Sequence, residues 1–442
     1  MWLGDANGND QRRCIEDCVT DVSGVPHWDQ WGIDLKGARV VVTGVGLTSP
    51  IGNTLEAVSV ALREGKHGIS TQRQWDAYGN LATRLAAPVV AIDFSSYPRK
   101  KIRTMGRVAL LAAYASDAAV ADAGLTPGEL NSGKVGLAYG STHGSSSELE
   151  EFCRSLFKQD SLKGLPSTSY LKFMSHTCAA NLAMHYGIRG RVITTCSACV
   201  SSSQAIGYGY EAVKYGFQEA MICGGAEELH FTHAGVFDIM YATSTRYNDH
   251  PESSPRPFDQ KRDGLVIGEG ACTVILESYE RARARGAKIY GEILGYGTNC
   301  DGVHMTNPSW EGMAAAMRLC LDDAKVPVDS IDYVNAHGTA TELGDIAESK
   351  ATFEVLGRKV PISSTKSYTA HTLGACGSIE TAFCLLMMRD RFLPANRNLE
   401  EVDPRCAPLN YLRETASAAP KTIMTNNFAF GGINTSLLIR AL

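Results

Sequence analysis

The chain has 442 residues, 44% hydrophobic and 20% charged, with a formal net charge of −5; these proportions fit a soluble globular protein of two or three domains, or one large core built from repeated halves. The acidic balance disfavours a nucleic-acid binder, which needs a basic surface to neutralise phosphates. No apolar run reaches the roughly 20 residues of a membrane-crossing helix, no signal-peptide order opens the chain, and the 13 scattered cysteines read as free thiols of a reducing compartment, so a cytoplasmic location is expected.

In chain order, residues 1–37 are polar and without period, yet hold Trp2, Trp28 and Trp31; they read as a non-catalytic extension. At Arg39-Val-Val-Val-Thr-Gly-Val-Gly a β-branched run closed by glycines predicts a buried strand. A helix is expected over 107–123, strands over 135–139, 220–223 and 272–276, and a helical segment over 277–285. The same alternation resumes with strands over 289–294, 331–335, 360–363 and 437–439 and helices over 311–324, 345–356 and 378–390. Strands alternating with helices predict a layered α/β protein. Ala38-Arg-Val-Val-Val-Thr-Gly-Val-Gly is echoed by Ala287-Lys-Ile-Tyr-Gly-Glu-Ile-Leu-Gly-Tyr-Gly, which divides the chain into halves, 38–286 and 287–442.

Val192-Ile-Thr-Thr-Cys196-Ser-Ala-Cys199-Val-Ser-Ser-Ser carries two cysteines three apart. A zinc ribbon needs a second ligand pair, and none follows. A redox pair usually has different spacer residues at a helix start. The remaining reading is a nucleophile on a strand-to-helix turn, its thiolate favoured by the helix dipole. Two histidines lie in similar small-residue settings just past expected strands, Asn335-Ala-His337-Gly-Thr-Ala-Thr and Thr369-Ala-His371-Thr-Leu-Gly, where open α/β sheets place their ligands. Lys366 lies at the mouth of another strand. Thr425-Asn-Asn-Phe-Ala-Phe-Gly-Gly-Ile-Asn434 reads as a glycine-rich loop with backbone amides free for an anion.

The ordered set Thr43-Gly-Val-Gly-Leu, Cys196-Ser-Ala-Cys-Val-Ser, Gly224-Gly-Ala-Glu-Glu, Arg256-Pro-Phe-Asp, Asn335-Ala-His-Gly-Thr-Ala-Thr, Ser363-Ser-Thr-Lys-Ser and Asn427-Phe-Ala-Phe-Gly-Gly resembles the β-ketoacyl-acyl-carrier-protein synthases of the Cys-His-His elongating type, over nearly all of 38–442. The resemblance implies a thiolase-like fold of two duplicated βα halves in α-β-α-β-α layers. It places the nucleophile at Cys199 and leaves Cys196 a bystander.

It further implies that an acyl group moves from carrier phosphopantetheine to Cys199, and that His337 and His371 bind the thioester oxygen of a decarboxylating malonyl group. Backbone N–H groups of Cys199 and Phe430 would hold the condensation oxyanion, and Lys366 would order His371. Thr339, Thr341, Gly431 and Gly432 would bind substrate. Asn335, Glu380, Thr425 and Asn426 are a candidate cage for a structural Na⁺ or K⁺, or an ordinary hydrogen-bond network; no other cofactor is expected. Partners implied are an acyl carrier protein, malonyl and acyl thioesters, and a second subunit in a homodimer or a heterodimer with a related synthase. The basic run Arg99, Lys100, Lys101, Arg103 and Arg107 is the expected carrier-docking patch.

Three departures stand out. Ala429 replaces the usual glycine before Phe430, which narrows the backbone angles open to that loop. Ala370 replaces the glycine before the second histidine. His143 stands near the expected floor of the acyl pocket, which points to short, polar or unsaturated acyl groups. A non-elongating partner subunit of chain-length-factor type and a CoA-dependent thiolase are the rival readings; the first usually lacks the nucleophile, and the setting of His371 disfavours the second.

Overall fold

The structure, a computed structural model, describes residues 37–442; the expected extension, with its tryptophans, lies outside them. Eleven strands form one sheet: β1 (Val40–Thr48), β2 (Val135–Gly140), β3 (Val192–Thr195), β4 (Ala220–Glu227), β5 (Gly270–Ser278), β6 (Gly291–Cys300), β7 (Tyr333–Asn335), β8 (Pro361–Ser363), β9 (Asn410–Tyr411), β10 (Thr422–Phe428) and β11 (Ile433–Arg440). Their spatial order is β9-β8-β7-β10-β11-β6-β1-β5-β4-β2-β3.

The order contains a repeat. The run β3-β2-β4-β5-β1 has the same connectivity as β8-β7-β10-β11-β6. In each run the first two pairings are parallel and the last two antiparallel. The halves are stitched where β1 meets β6 through Val40, Val41 and Val42.

The echoed glycines explain themselves. At Gly46 of β1 an added Cβ would stand 2.1 Å from the Ala115 carbonyl, in helix α1 (Arg107–Ala123). At Gly297 of β6 it would stand 2.1 Å from the Ala316 carbonyl, in α5 (Trp310–Ala324). Each half therefore lets its outer helix lie directly on its strand, which no side chain would permit.

Between the two sheet halves lie α3 (Ser201–Lys214) and α7 (Cys376–Asp390), with α2 (Thr177–Tyr186) and α1 outside one half and α5 and α6 (Glu342–Leu356) outside the other. Helix α7 is buried over all but its last turn, as expected of a helix covered on every side. One further helix, α4 (Phe231–Ile239), borders the site. No described helix is long and apolar enough to cross a membrane.

One expectation needs correction. The segment 425–434, read as a glycine-rich loop, is mostly the hairpin β10–β11, with only Ala429–Gly432 in the turn. Asn426 and Asn427 are poor strand formers, but β10 lies between β7 and β11, and pairing on both sides overrides local preference.

Candidate active site

Four chain segments meet at one cavity, each delivered by the end of a strand. β3 ends at Thr195, and the chain turns through Ala198 at φ 48, a left-handed conformation costing a non-glycine residue on the order of 1 kcal/mol. A single 3-10 turn, Ala198–Val200, then leads into α3. Cys199 sits in this first turn, where N–H groups lack helical acceptors, and it is buried.

His337 follows β7. Glu348 of α6 fixes its backbone, accepting from the His337 N–H at 2.7 Å and the Gly338 N–H at 2.6 Å. His371 is pinned by backbone bonds to Val266 and Gly268. It follows Ala370 at φ 59, ψ −173, a region nearly exclusive to glycine, so the glycine-to-alanine departure carries real strain there. Ala429, by contrast, keeps a negative φ, and the conformation seen here accommodates its methyl without strain.

The side chains converge. His371 Nε2 lies 3.0 Å from Cys199 Sγ. The His337 and His371 rings meet edge to face with centroids 5.1 Å apart. All three candidate ligand atoms lie within 4.8 Å of one another. The trio has the donor types of a zinc site, but His371 Nδ1 has no partner to orient it, as metal-bound histidines normally do. Lys366, beside it, opposes a cation.

Lys366 is buried, with Nζ 2.5 Å from Glu380 Oε1. Burial disfavours its charge, but Glu380 and nearby acidic groups outweigh that, so the ammonium persists. Burial first, and then this ammonium, holds His337 and His371 well below the ordinary imidazole range. Both rings are therefore neutral at pH 7. Asn427 Nδ2, bonded to Glu380 Oε2 at 2.7 Å, also faces His337 Nδ1 at 3.5 Å. A donor against Nδ1 leaves the His337 proton on Nε2. For His371, a proton on Nε2 leaves only an acceptor unpaired, the cheaper arrangement in a buried site. Two N–H donors thus face the cavity.

The thiol differs from expectation. Burial pushes Cys199 up to about 12, against the opposing pull of Lys366. The helix terminus does not offset desolvation, and the resting group is a thiol.

A cavity of about 520 Å³ runs from Cys199, His337 and His371 past Phe237, Phe428 and Phe430, with Thr339, Thr341 and Gly432 in its wall. The hydroxyls of Thr339 and Thr341 are 3.0 Å apart. Phe430 packs on Phe237 at 5.5 Å between centroids, and its N–H engages no backbone acceptor among the described residues. Gly431 lies in the turn but not in the cavity wall, its N–H donating to the Met305 carbonyl.

His143 does not line this cavity; its ring neighbours Ser146, whose hydroxyl lies 2.7 Å from His233 Nε2. Arg107 binds the buried Glu269 through Nη2 and Oε2 at 2.8 Å and, like Arg99, Lys100, Lys101 and Arg103, is exposed. Asn335 Nδ2 donates to Thr425, Glu380 holds Lys366 and Asn427, and Asn426 leaves the opposite face of β10 from Thr425, its amide unpaired.

Cys196 is exposed and donates to the Thr142 carbonyl, away from the trio. Sequence reasoning missed Phe237, Tyr241 and the Asp301–Asn307 wall, none of which belongs to a motif.

The model of the β-ketoacyl synthase N-terminal domain matches residues 37–282 and that of the C-terminal domain residues 290–400. The chain belongs to the β-ketoacyl synthase family. This synthase is 39% identical over 406 residues to 3-oxoacyl-[acyl-carrier-protein] synthase 1 of Escherichia coli K12, covering 91% of this chain and 99% of that one. It superposes with TM-score 0.89 and 48% identity on a β-ketoacyl synthase from Burkholderia phymatum, covering 92% and 100% of the two chains. It is also similar, at TM-score 0.83 and 29% identity over 92% and 100%, to the ketosynthase assembly AntDE bound to its acyl-carrier protein AntF.

Proposed function

We propose that this synthase is a 3-oxoacyl-[acyl-carrier-protein] synthase that elongates acyl chains in fatty-acid or related polyketide synthesis. The observation that carries the reading is the contact of His371 Nε2 with Cys199 Sγ, with neutral His337 beside it in one cavity. Relatives named for the same reaction over almost their whole length support it. The same contact disfavours a non-elongating partner subunit.

In the first step the Cys199 sulfur attacks an acyl thioester. The acyl–sulfur bond of the carrier breaks, a thioester forms on Cys199, and the thiol proton leaves on the carrier's phosphopantetheine sulfur. A malonyl thioester then loses CO₂, and its developing enolate oxygen receives the Nε2–H bonds of His337 and His371, in a dry site where such donors act most strongly. The enolate carbon attacks the acyl-Cys199 carbonyl. The N–H groups of Cys199 and Phe430 hold the oxyanion, and collapse releases the β-ketoacyl carrier and the Cys199 thiolate, which takes up a proton. Lys366 adds to burial in keeping both imidazoles neutral, and Thr339 and Thr341 meet the pantetheine arm. No cation enters any step.

Arg99, Lys100, Lys101 and Arg103 steer the acidic carrier, and charge reversal at Arg99, Lys100 and Arg103 raises its KM. The described cysteines are all free, which fits a cytoplasmic enzyme. A homodimer forms at the β3 edge of the sheet, where Val192 and Met184 are exposed; sedimentation velocity giving only monomer would refute this. Short, polar or unsaturated acyl groups are favoured because His143, Ser146 and His233 form a polar cluster, and His233 lies one turn before the cavity residue Phe237 on α4.

The test is mass spectrometry of the intact enzyme after incubation with a panel of acyl carriers. Acylation at Cys199 is expected, with short or polar chains preferred; a preference for saturated C10–C14 chains would contradict the acyl assignment. Cys199→Ala should keep malonyl decarboxylation and lose condensation, and loss of both, in a folded variant, would count against the assigned roles.

A further inference from the structure

Glu227, the last residue of β4, is fully buried and takes no part in the proposed steps. Its Oε2 gathers three donors from two other segments: the Thr142 N–H at 2.9 Å, the Thr142 hydroxyl at 2.6 Å and the Gly374 N–H at 3.0 Å. Its Oε1, equally buried, has no partner. An ionised carboxylate accepts on both oxygens, and a charge buried bare on one side costs far more than a neutral group. The one-sided pattern is that of a carboxylic acid, with Oε2 the carbonyl oxygen and the proton on Oε1.

The two segments it joins are those that carry the reacting pair. Thr142 follows β2, and its carbonyl accepts from the Cys196 thiol at 3.2 Å, three residues before the nucleophile. Gly374 lies three residues after His371. A Cβ at Gly374 would stand 2.6 Å from the Thr142 nitrogen, so the segments meet backbone to backbone. Between His371 and Gly374 the chain passes through Leu373 at φ 46, a left-handed conformation that a leucine keeps only where its surroundings over-determine it. The bond from the Gly374 N–H to Glu227 is the tie beside that residue. A path of direct bonds thus runs from the His371 turn through Glu227 and Thr142 to the nucleophile turn. It brackets the 3.0 Å contact of His371 Nε2 with Cys199 Sγ.

We propose that Glu227 is a positioning residue for the condensation: in its neutral form it staples the His371 turn to the loop beside Cys199 and so fixes the separation of imidazole and thiol. This rests on the reading of Cys199 and His371 as the reacting pair. Burial, opposed by the bonds from Thr142 and Gly374, pushes the Glu227 carboxyl up to about 8. The titratable groups that face it are Glu228 beside it, Cys178 of α2, and Cys196 and Cys199 of the nucleophile turn. None of them brings a positive charge. His143, next to Thr142, neighbours Ser146, His371 is neutral, and Lys366 is committed to Glu380. A negative charge on Glu227 raises the Cys199 thiol and opposes the enolate and oxyanion that form beside it. The working form is therefore the acid.

The test compares wild type, Glu227→Gln and Glu227→Ala in the full chain, by condensation kinetics with acyl and malonyl carriers below and above pH 8. Glutamine keeps a neutral carbonyl in place; alanine removes the staple. At pH 7 Glu227→Gln should keep kcat within about threefold, whereas Glu227→Ala should lose it on the order of a hundredfold, the effect of a misplaced reacting pair, with the malonyl-carrier KM unchanged. The ratio of wild-type to Glu227→Gln activity should be flat near pH 7 and fall as pH rises through about 8. Glu348, also pushed up to about 8, is common to both proteins and cancels in that ratio. Where Glu227→Ala fails to fold, the ratio decides alone. A flat ratio, a glutamine variant as poor as the alanine one at pH 7, or an alanine variant with wild-type kcat would overturn the role of Glu227 while leaving the reading of the site intact. Wild type that condenses no carrier thioester would overturn that reading as well.

Discussion

At the residue scale, the site works by withholding charge. Burial first, and then the Lys366 ammonium, keeps both rings unprotonated, so each offers one N–H to the substrate's developing anion. His337→Ala removes one of two donors; malonyl decarboxylation should fall roughly 10²–10³-fold, the usual effect of deleting one such donor. A stopped assay of CO₂ release reads this directly, and a loss below tenfold would mean that His371 alone holds the enolate. The trio was legible in the sequence because nucleophile and histidines each stood in small-residue settings at strand ends. The thiol's protonation state was not, because burial at Cys199 depends on α7 and its preceding turn, Cys376 of α7 lying 177 residues downstream.

At the scale of elements, the close packing of α3 against β4 positions the nucleophile. A Cβ at Gly225 would lie 2.6 Å from Ser202 Cβ and 2.8 Å from the Gly374 carbonyl, three residues beyond Cys199 and His371 respectively. Gly225→Ala should therefore separate the reacting groups: kcat falls on the order of a hundredfold and stability by about 1–3 kcal/mol. Chemical denaturation with steady-state kinetics tests both, and an unchanged kcat would show that the elbow relaxes without moving the thiol. The strands that carry the site were recognisable because β-branched runs closed by glycine survive in any context. The hairpin β10–β11 was less so, since Asn426 and Asn427 become strand only between two neighbours. The cavity wall from α4 and Asp301–Asn307 had no local signature, because its residues become neighbours only by folding.

At the scale of the whole molecule, buried histidines make the fold sensitive to acid. Burial first, and then the neighbouring His230 and His143, lowers His233 to about 4. Between the ordinary imidazole value of about 6.5 and that folded value, the unfolded chain binds a proton that the folded chain refuses. Folding stability from this group is therefore lost as pH falls through that window. Relative to a His233→Asn variant, wild type should lose about 2 kcal/mol between pH 7 and pH 5, read as a difference in urea midpoints; parallel pH profiles would show that His233 protonates in place.

The nucleophile comes from the first half, both imidazoles from the second, and the oxyanion loop from the hairpin β10–β11, which ends at Arg440. During synthesis, then, the thiol at position 199 emerges long before anything that can activate a thioester beside it. A nascent chain that has not yet folded β11 carries an inert sulfur, and reactivity switches on only when that strand closes the hairpin.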